Sequence, residues 1–321
     1  MKHNEALAQV KTLLMKLRIT HETLYSYSPM VVTAQHVAHL EPVNTPCQTC
    51  ITHSFSSLPV SPKLRRQPDA FGNHRCYLSL PVAHNTLQVH AQSTLETYPL
   101  PLSQAKALQD HAETLTWEQA QGVYQYRAGQ ASDDATPFAY ASHHAPIDQA
   151  FKRYALSSFT PRRPLIEAVR DLMQRIHTEF KYESLSTDIS TPALTVLANK
   201  RGVCQDFAHV MLACLRSMGL AARYVSGYLL TEPPPGQARL IGSDASHAWV
   251  SLRVPQMDAS TGSESWYDFD PTNNREGWCS PGEDYVRLAV GRDFADVSPL
   301  RGVLQGGTNH TLQVSVTVEP I

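Results

Sequence analysis

The sequence predicts an α+β protein with an N-terminal all-β domain, a helical connector and a C-terminal domain in which helices pack on an antiparallel sheet. Three observations predict it. Before residue 99 the apolar residues alternate in short runs broken by Pro, Asn and Gly, and between residues 165 and 218 they recur at spacings of three and four. From residue 222 onward the period returns to two. Helices first and strands afterwards make the second half α+β.

At 321 residues the chain has room for about two domains. Hydrophobic residues make up 42% and charged residues 17%, enough for a buried core and too apolar for a disordered tail. Lys plus Arg total 27 against 29 Asp plus Glu, a net charge of -2. No bulk positive field therefore argues for nucleic acid or an anionic membrane as partner. Nor does any stretch approach 18 consecutive apolar residues, so no spanning helix is expected. The first 15 residues lack an unbroken apolar run and a cleavage pattern, and residues 1–16 read as an N-terminal extension. A cytoplasmic chain is expected, with its six cysteines reduced and too sparse for a disulfide scaffold.

Residues 17–99 carry strand signals at 17–20, 23–27 and 87–91, with turn residues at Ser28-Pro29, Pro42-Val43-Asn44 and Phe71-Gly72-Asn73. A sandwich or small barrel fits them. Residues 100–160 form the connector, helix-compatible at 105–120 and broken at 133–137 and 143–146. In the domain 161–321, Leu165, Val169, Leu172, Met173, Ile176 and Phe180 make one helical stripe. A second helix starts at Thr191-Pro192 and runs through Leu194 and Leu197 to Asn199. The third begins at Cys204, carries Phe207, Val210, Met211, Cys214, Leu215 and Met218 on one face, and stops at Gly219. Strands are expected at 222–230, 246–254, 266–270 and 312–318, joined by Pro/Gly-rich loops such as 232–236.

A cysteine at a helix start sits near the positive end of the helix dipole and among unpaired N–H groups, which favour thiolate and can hold an oxyanion. Cys204 has that position, and such a nucleophile needs a base. Alternation puts His247, Trp249 and Ser251 on the more polar face of their strand. Asp268 and Asp270 share a face of another strand, so either could orient His247 from a neighbouring position. Each residue alone has a bland structural explanation; in this order, on helix start, strand and strand, the three fit thiol acyl transfer.

Other residues weigh less. Cys47-Gln48-Thr49-Cys50 with His53, His74 and Cys76 offers one CxxC beside scattered ligands, and no metal is expected. Asp206 and His209 follow Cys204 on its helix but point roughly 160 and 140 degrees away, at about 100 degrees per residue. Asp206 suits the helix dipole and His209 a core contact. Tyr224, Tyr228, Trp249 and Trp266 could line a groove or fill the core.

The segments Gly202-Val203-Cys204-Gln205-Asp206-Phe207-Ala208-His209, Ala222-Arg223-Tyr224-Val225-Ser226-Gly227-Tyr228, Asp244-Ala245-Ser246-His247-Ala248-Trp249 and Phe269-Asp270-Pro271-Thr272-Asn273 resemble the bacterial transglutaminase-like cysteine protease family. So does Val290-Gly291-Arg292-Asp293-Phe294-Ala295-Asp296-Val297, while Ile19-Thr20-His21-Glu22-Thr23-Leu24-Tyr25-Ser26-Tyr27 and Asp69-Ala70-Phe71-Gly72-Asn73 resemble that family's N-terminal β domain. The resemblance implies a papain-like core with Cys204 as nucleophile, His247 as base and Asp270 as orienting carboxylate. It implies no cofactor and no metal. The expected activity is a cysteine-dependent amide hydrolase acting on a peptide or small amide through a thioester. A transamidase and a non-catalytic peptide-binding module on the same fold are the alternatives. Association with peptide-forming ATP-grasp proteins is a further expectation, and Trp249, Trp278, Gln205 and the Cys204 backbone N–H are the candidate oxyanion donors.

Overall fold

The alternation that predicts separate strands at 17–20 and 23–27 instead builds one 24-residue strand, β1 (Met15–Ala38), in the computed structural model of the chain. That structure describes residues 14–59, 65–125, 127–129, 133–184, 186–231, 246–255 and 265–321. Most of the expected N-terminal extension, and the proline-rich loop at 232–236, lie outside the described residues. After β1 come β2 (Gln48–Leu58), β3 (Arg65–Pro68), β4 (His74–Leu80) and β5 (His84–Thr97). The connector holds helices α1 (Leu102–Thr114), α2 (Trp117–Val123) and α3 (Gln149–Leu156). The helical stripe forms α4 (Leu165–Glu179), followed by β6 (Lys181–Tyr182), α5 (Ala193–Asn199), β7 (Arg201–Gly202) and α6 (Cys204–Ser217). Last come β8 (Ala222–Leu229), β9 (Ser246–Arg253), β10 (Trp266–Asp270), β11 (Arg275–Trp278), β12 (Tyr285–Gly291), α7 (Phe294–Val297), β13 (Leu300–Gly306) and β14 (Asn309–Pro320).

β1 stays continuous because it is paired on both edges along nearly its whole length. Its first half lies between β5 and β14, its second half between β4 and β13, all antiparallel. One strand thus serves two curled layers, which close on a core that includes Leu17, Ile19, Leu78, Leu80, Leu87, Leu95 and Val318. The last two strands belong to this sheet and not to the one formed by their sequence neighbours. The stretch 161–321 is therefore divided between the two sheets, because alternation marks 312–318 as strand without naming its partner.

The second sheet runs β11-β10-β9-β8-β12, antiparallel throughout. Ala222, Tyr224, Ala248, Val250 and Leu252 pack with Phe207, Val210, Met211 and Leu215 of α6 in one apolar cluster. Residues 206–216 of α6 are all buried, as expected of a helix enclosed by other elements. At the other end of the sheet Tyr228, Val286 and Leu288 enter the core of the first sheet, where the Tyr228 hydroxyl is hydrogen-bonded to His21 Nδ1 at 2.9 Å. The two sheets thus share packing as well as sequence. Gly227 makes the approach of β12 possible: a Cβ there would meet the Val286 carbonyl oxygen and lie 2.5 Å from Trp249 Cη2. Gly227→Ala is expected to cost about 3 kcal/mol, read as a lower urea midpoint at unchanged m-value.

Candidate active site

The start of α6 is fixed from both sides. Lys200 takes a left-handed conformation that ends α5, and β7 then pairs in parallel with β6 through Lys181↔Arg201 and Tyr182↔Gly202. Two residues later α6 begins at Cys204. The Asp206 carboxylate accepts the Val203 N–H at 2.8 Å and the Thr187 hydroxyl at 2.6 Å, so it caps the helix as its place in the first turn suggests. Burial raises its pKa above the ordinary carboxylate value despite these bonds. A Cβ on Gly202 would lie 2.6 Å from Asp206 Oδ2. Gly202→Ala is expected to displace this cap and with it Cys204, lowering thermal stability by about 1–2 kcal/mol and slowing alkylation of Cys204. Differential scanning fluorimetry with peptide mass spectrometry reads both.

His247 stands at the second position of β9, 8% exposed, and Asp270 ends β10, fully buried. The strands pair Phe269 with Val250 and Asp268 with Ser251, which brings Asp270 beside His247 across the ladder. His247 Nε2 lies 2.7 Å from Asp270 Oδ2, and the ring lines the same cleft as Cys204. Burial favours neutral imidazole, but the bond to Asp270 and the interaction with Cys204 outweigh it and raise His247 to about 10. Burial likewise opposes ionisation of Asp270, yet the hydrogen bonds from His247, Tyr285 and Asn273 hold it below the ordinary carboxylate value.

Asp268, the other aspartate on that face, has different partners. Its Oδ2 accepts Trp249 Nε1–H at 2.9 Å and the Arg287 guanidinium at 3.1 Å. Two residues without an assigned role in the sequence complete the site. Tyr285 donates its hydroxyl to Asp270 Oδ2 at 2.7 Å, and Asn273 donates its amide to the same oxygen at 2.7 Å. The Asp270-Pro271-Thr272-Asn273 run and the apolar alternation from Tyr285 to Val290 were the signals available for them.

Cys204, Gln205, His247, Ser226, Ser246, Tyr182, Tyr224, Phe294 and Pro299 line a cleft of about 220 Å³. Of the candidate oxyanion side chains only Gln205 faces it. Trp249 gives its N–H to Asp268, and Trp278 gives its own to Gln109 Oε1 at 3.2 Å on the far side of β10. Tyr228 lies in the first sheet's core, and Trp266 packs under the Arg223 guanidinium at 3.9 Å, so only Tyr224 of the four aromatic candidates lines the cleft. His209 stacks on His144 with ring centroids 5.0 Å apart and accepts the Phe294 N–H at 3.3 Å; burial lowers it to about 3, which keeps it neutral. His53 bonds Ser93, and among the described residues no three His, Cys, Asp or Glu side chains cluster as metal ligands. No helix among the described residues is long and apolar enough to cross a membrane.

Compared with known proteins, residues 152–271 match the transglutaminase-like superfamily and residues 17–96 the bacterial transglutaminase-like N-terminal region. The uncharacterized protein Rv2569c of Mycobacterium tuberculosis is 40% identical over 309 residues, covering 95% of this chain and 93% of its own. The uncharacterized protein ML0607 of Mycobacterium leprae is 30% identical over 306 residues, covering 94% and 98%. A crystal structure described as a "Putative Cysteine Protease" from Cytophaga hutchinsonii has the same fold, with a TM-score of 0.70 at 20% identity over 96% of this chain and 91% of that one.

Proposed function

The chain belongs to the transglutaminase-like superfamily, and on that footing we propose that it is a cysteine-dependent amide hydrolase, a peptidase or isopeptidase. The observation that carries the proposal is the placement of His247, bonded to Asp270 at 2.7 Å and lining one cleft with Cys204. An imidazolium between a carboxylate and a thiol is the arrangement that supplies a thiolate at neutral pH. The Cys204 sulfur attacks the carboxamide carbon, and the oxyanion forms against the Cys204 backbone N–H at the start of α6. His247 then gives its proton to the departing amine as the C–N bond breaks. Water, deprotonated by His247, resolves the thioester to acid and free thiol. Asp270 holds the ring and the positive charge through the cycle.

A cleft of about 220 Å³ is smaller than a drug-sized pocket and suits one side chain and its amide. Hydrolysis is favoured over transfer because water is present at overwhelming concentration. The test is a set of small glutamine and γ-glutamyl amides incubated with and without a primary amine, with products read by mass spectrometry. Acid in both conditions, absent with Cys204→Ala, is the expected result. An amine adduct makes the protein a transamidase, and binding of an amide without any turnover makes it a peptide-binding module.

A further inference from the structure

The two sheets each bring one cysteine to a common point outside the cleft. Cys47 lies in the loop entering β2, and Cys279 directly follows β11. Cys47 takes the Thr45 hydroxyl as acceptor for its backbone N–H at 3.1 Å, and the Cys279 Sγ lies 3.8 Å from the same hydroxyl oxygen. The two cysteines line one small cavity together with Thr45, Trp249, Tyr285 and Arg287. Cys50, which completes the CxxC spacing, points elsewhere and gives its S–H to the Thr52 carbonyl at 3.5 Å. The strand irregularity between Cys50 and Thr52 belongs to that separate environment.

We propose that Cys47 and Cys279 are a redox-active pair that closes to a reversible disulfide, stapling the first sheet to the second behind Asp270, the carboxylate that holds His247. The two sulfurs differ in a way that assigns their roles. The interaction with Cys47, and after it the Arg287 guanidinium, lowers Cys279 against its burial, whereas the same interaction and burial push the Cys47 thiol up. Cys279 is also the partly exposed member, while Cys47 is 4% exposed. Its thiolate attacks one oxygen of a peroxide; an S–O bond forms, the O–O bond breaks, and the other oxygen leaves with a proton as alcohol or water. The Cys47 sulfur then attacks the Cys279 sulfenic sulfur and displaces hydroxide, which takes the Cys47 proton and departs as water. Each sulfur loses one electron and the peroxide gains two; a dithiol reverses the change.

The staple joins positions far apart in sequence, so it removes much chain entropy from the unfolded state. Its seat is connected to the site: the Cys279 carbonyl accepts from Arg287, which pairs with Asp268, while Tyr285 on the same cavity holds Asp270. The experiment treats wild type and Cys204→Ala with a few equivalents of hydrogen peroxide, blocks free thiols with N-ethylmaleimide, and maps peptides without reduction. A Cys47–Cys279 linked pair, reversed by dithiothreitol and raising the melting temperature by about 5 °C, is expected in both proteins. With Cys47→Ser the Cys279 sulfenic acid should persist and be trapped by dimedone, with no rise in melting temperature. A Cys47–Cys50 link, oxidation of Cys279 without a link in wild type, or two unmodified cysteines in the folded protein would each overturn the proposal.

Discussion

Alanine at His247 lowers the rate at which iodoacetamide alkylates Cys204 at pH 6 by about 100-fold. Only thiolate reacts, and an ordinary thiol with a pKa near 8.5 is about 0.3% ionised at that pH. His247 is raised to about 10, which favours an imidazolium beside Cys204 across the neutral range. Removing it leaves the start of α6 as the remaining positive influence, which is a smaller effect. Peptide mass spectrometry of each cysteine between pH 5 and 9 reads the outcome. Equal rates in wild type and variant would remove the base from the proposed mechanism. A second readout follows from linkage. A histidine raised from 6.5 to about 10 contributes stability that is complete below pH 6.5 and lost as pH rises through 10, so the stability gap between wild type and His247→Ala should close over that window.

What could be read from sequence was whatever repeats locally. The stripe from Leu165 to Ile176 and the run from Phe207 to Leu215 specify buried helix faces without reference to any partner, and both faces are buried as expected. The order of Cys204, His247 and the two aspartates was legible for the same reason. Which aspartate serves His247 was not, because Asp268 and Asp270 share one face and differ only in strand register, a property of β9 and β10 together. The strands β13 and β14 show the same limit on a larger scale: they return to β1 across most of the chain. Tyr285 and the Cys47 and Cys279 pair depend on loops that tertiary packing alone brings together. Trp249 was misleading, since an indole near a nucleophile suggests an oxyanion donor, yet its N–H is spent on Asp268.

The two aspartates should separate when each is changed to asparagine. Asp270→Asn is expected to lower turnover of the best amide substrate by about 1000-fold or more. Five donors converge on that carboxylate: His247, Tyr285 and Asn273 side chains on Oδ2, and the Thr272 and Asn273 backbone N–H groups on Oδ1. An amide accepts on one corner only and turns an NH₂ toward donors on the other, so either the histidine or the turn loses its partner. If the histidine loses it, the imidazolium loses the charge that opposes its burial, and the ring reverts toward the neutral form that burial favours. Asp268→Asn acts on a different quantity. It leaves the Arg287 guanidinium, 6% exposed, without its buried carboxylate and should cost about 3 kcal/mol of stability, read by urea unfolding. His247 keeps Asp270 in that variant, so the folded fraction should retain turnover within a few-fold of wild type. The larger activity loss must therefore fall on Asp270, and a larger loss on Asp268 would mean that His247 takes its charge from the wrong neighbour in the proposed mechanism.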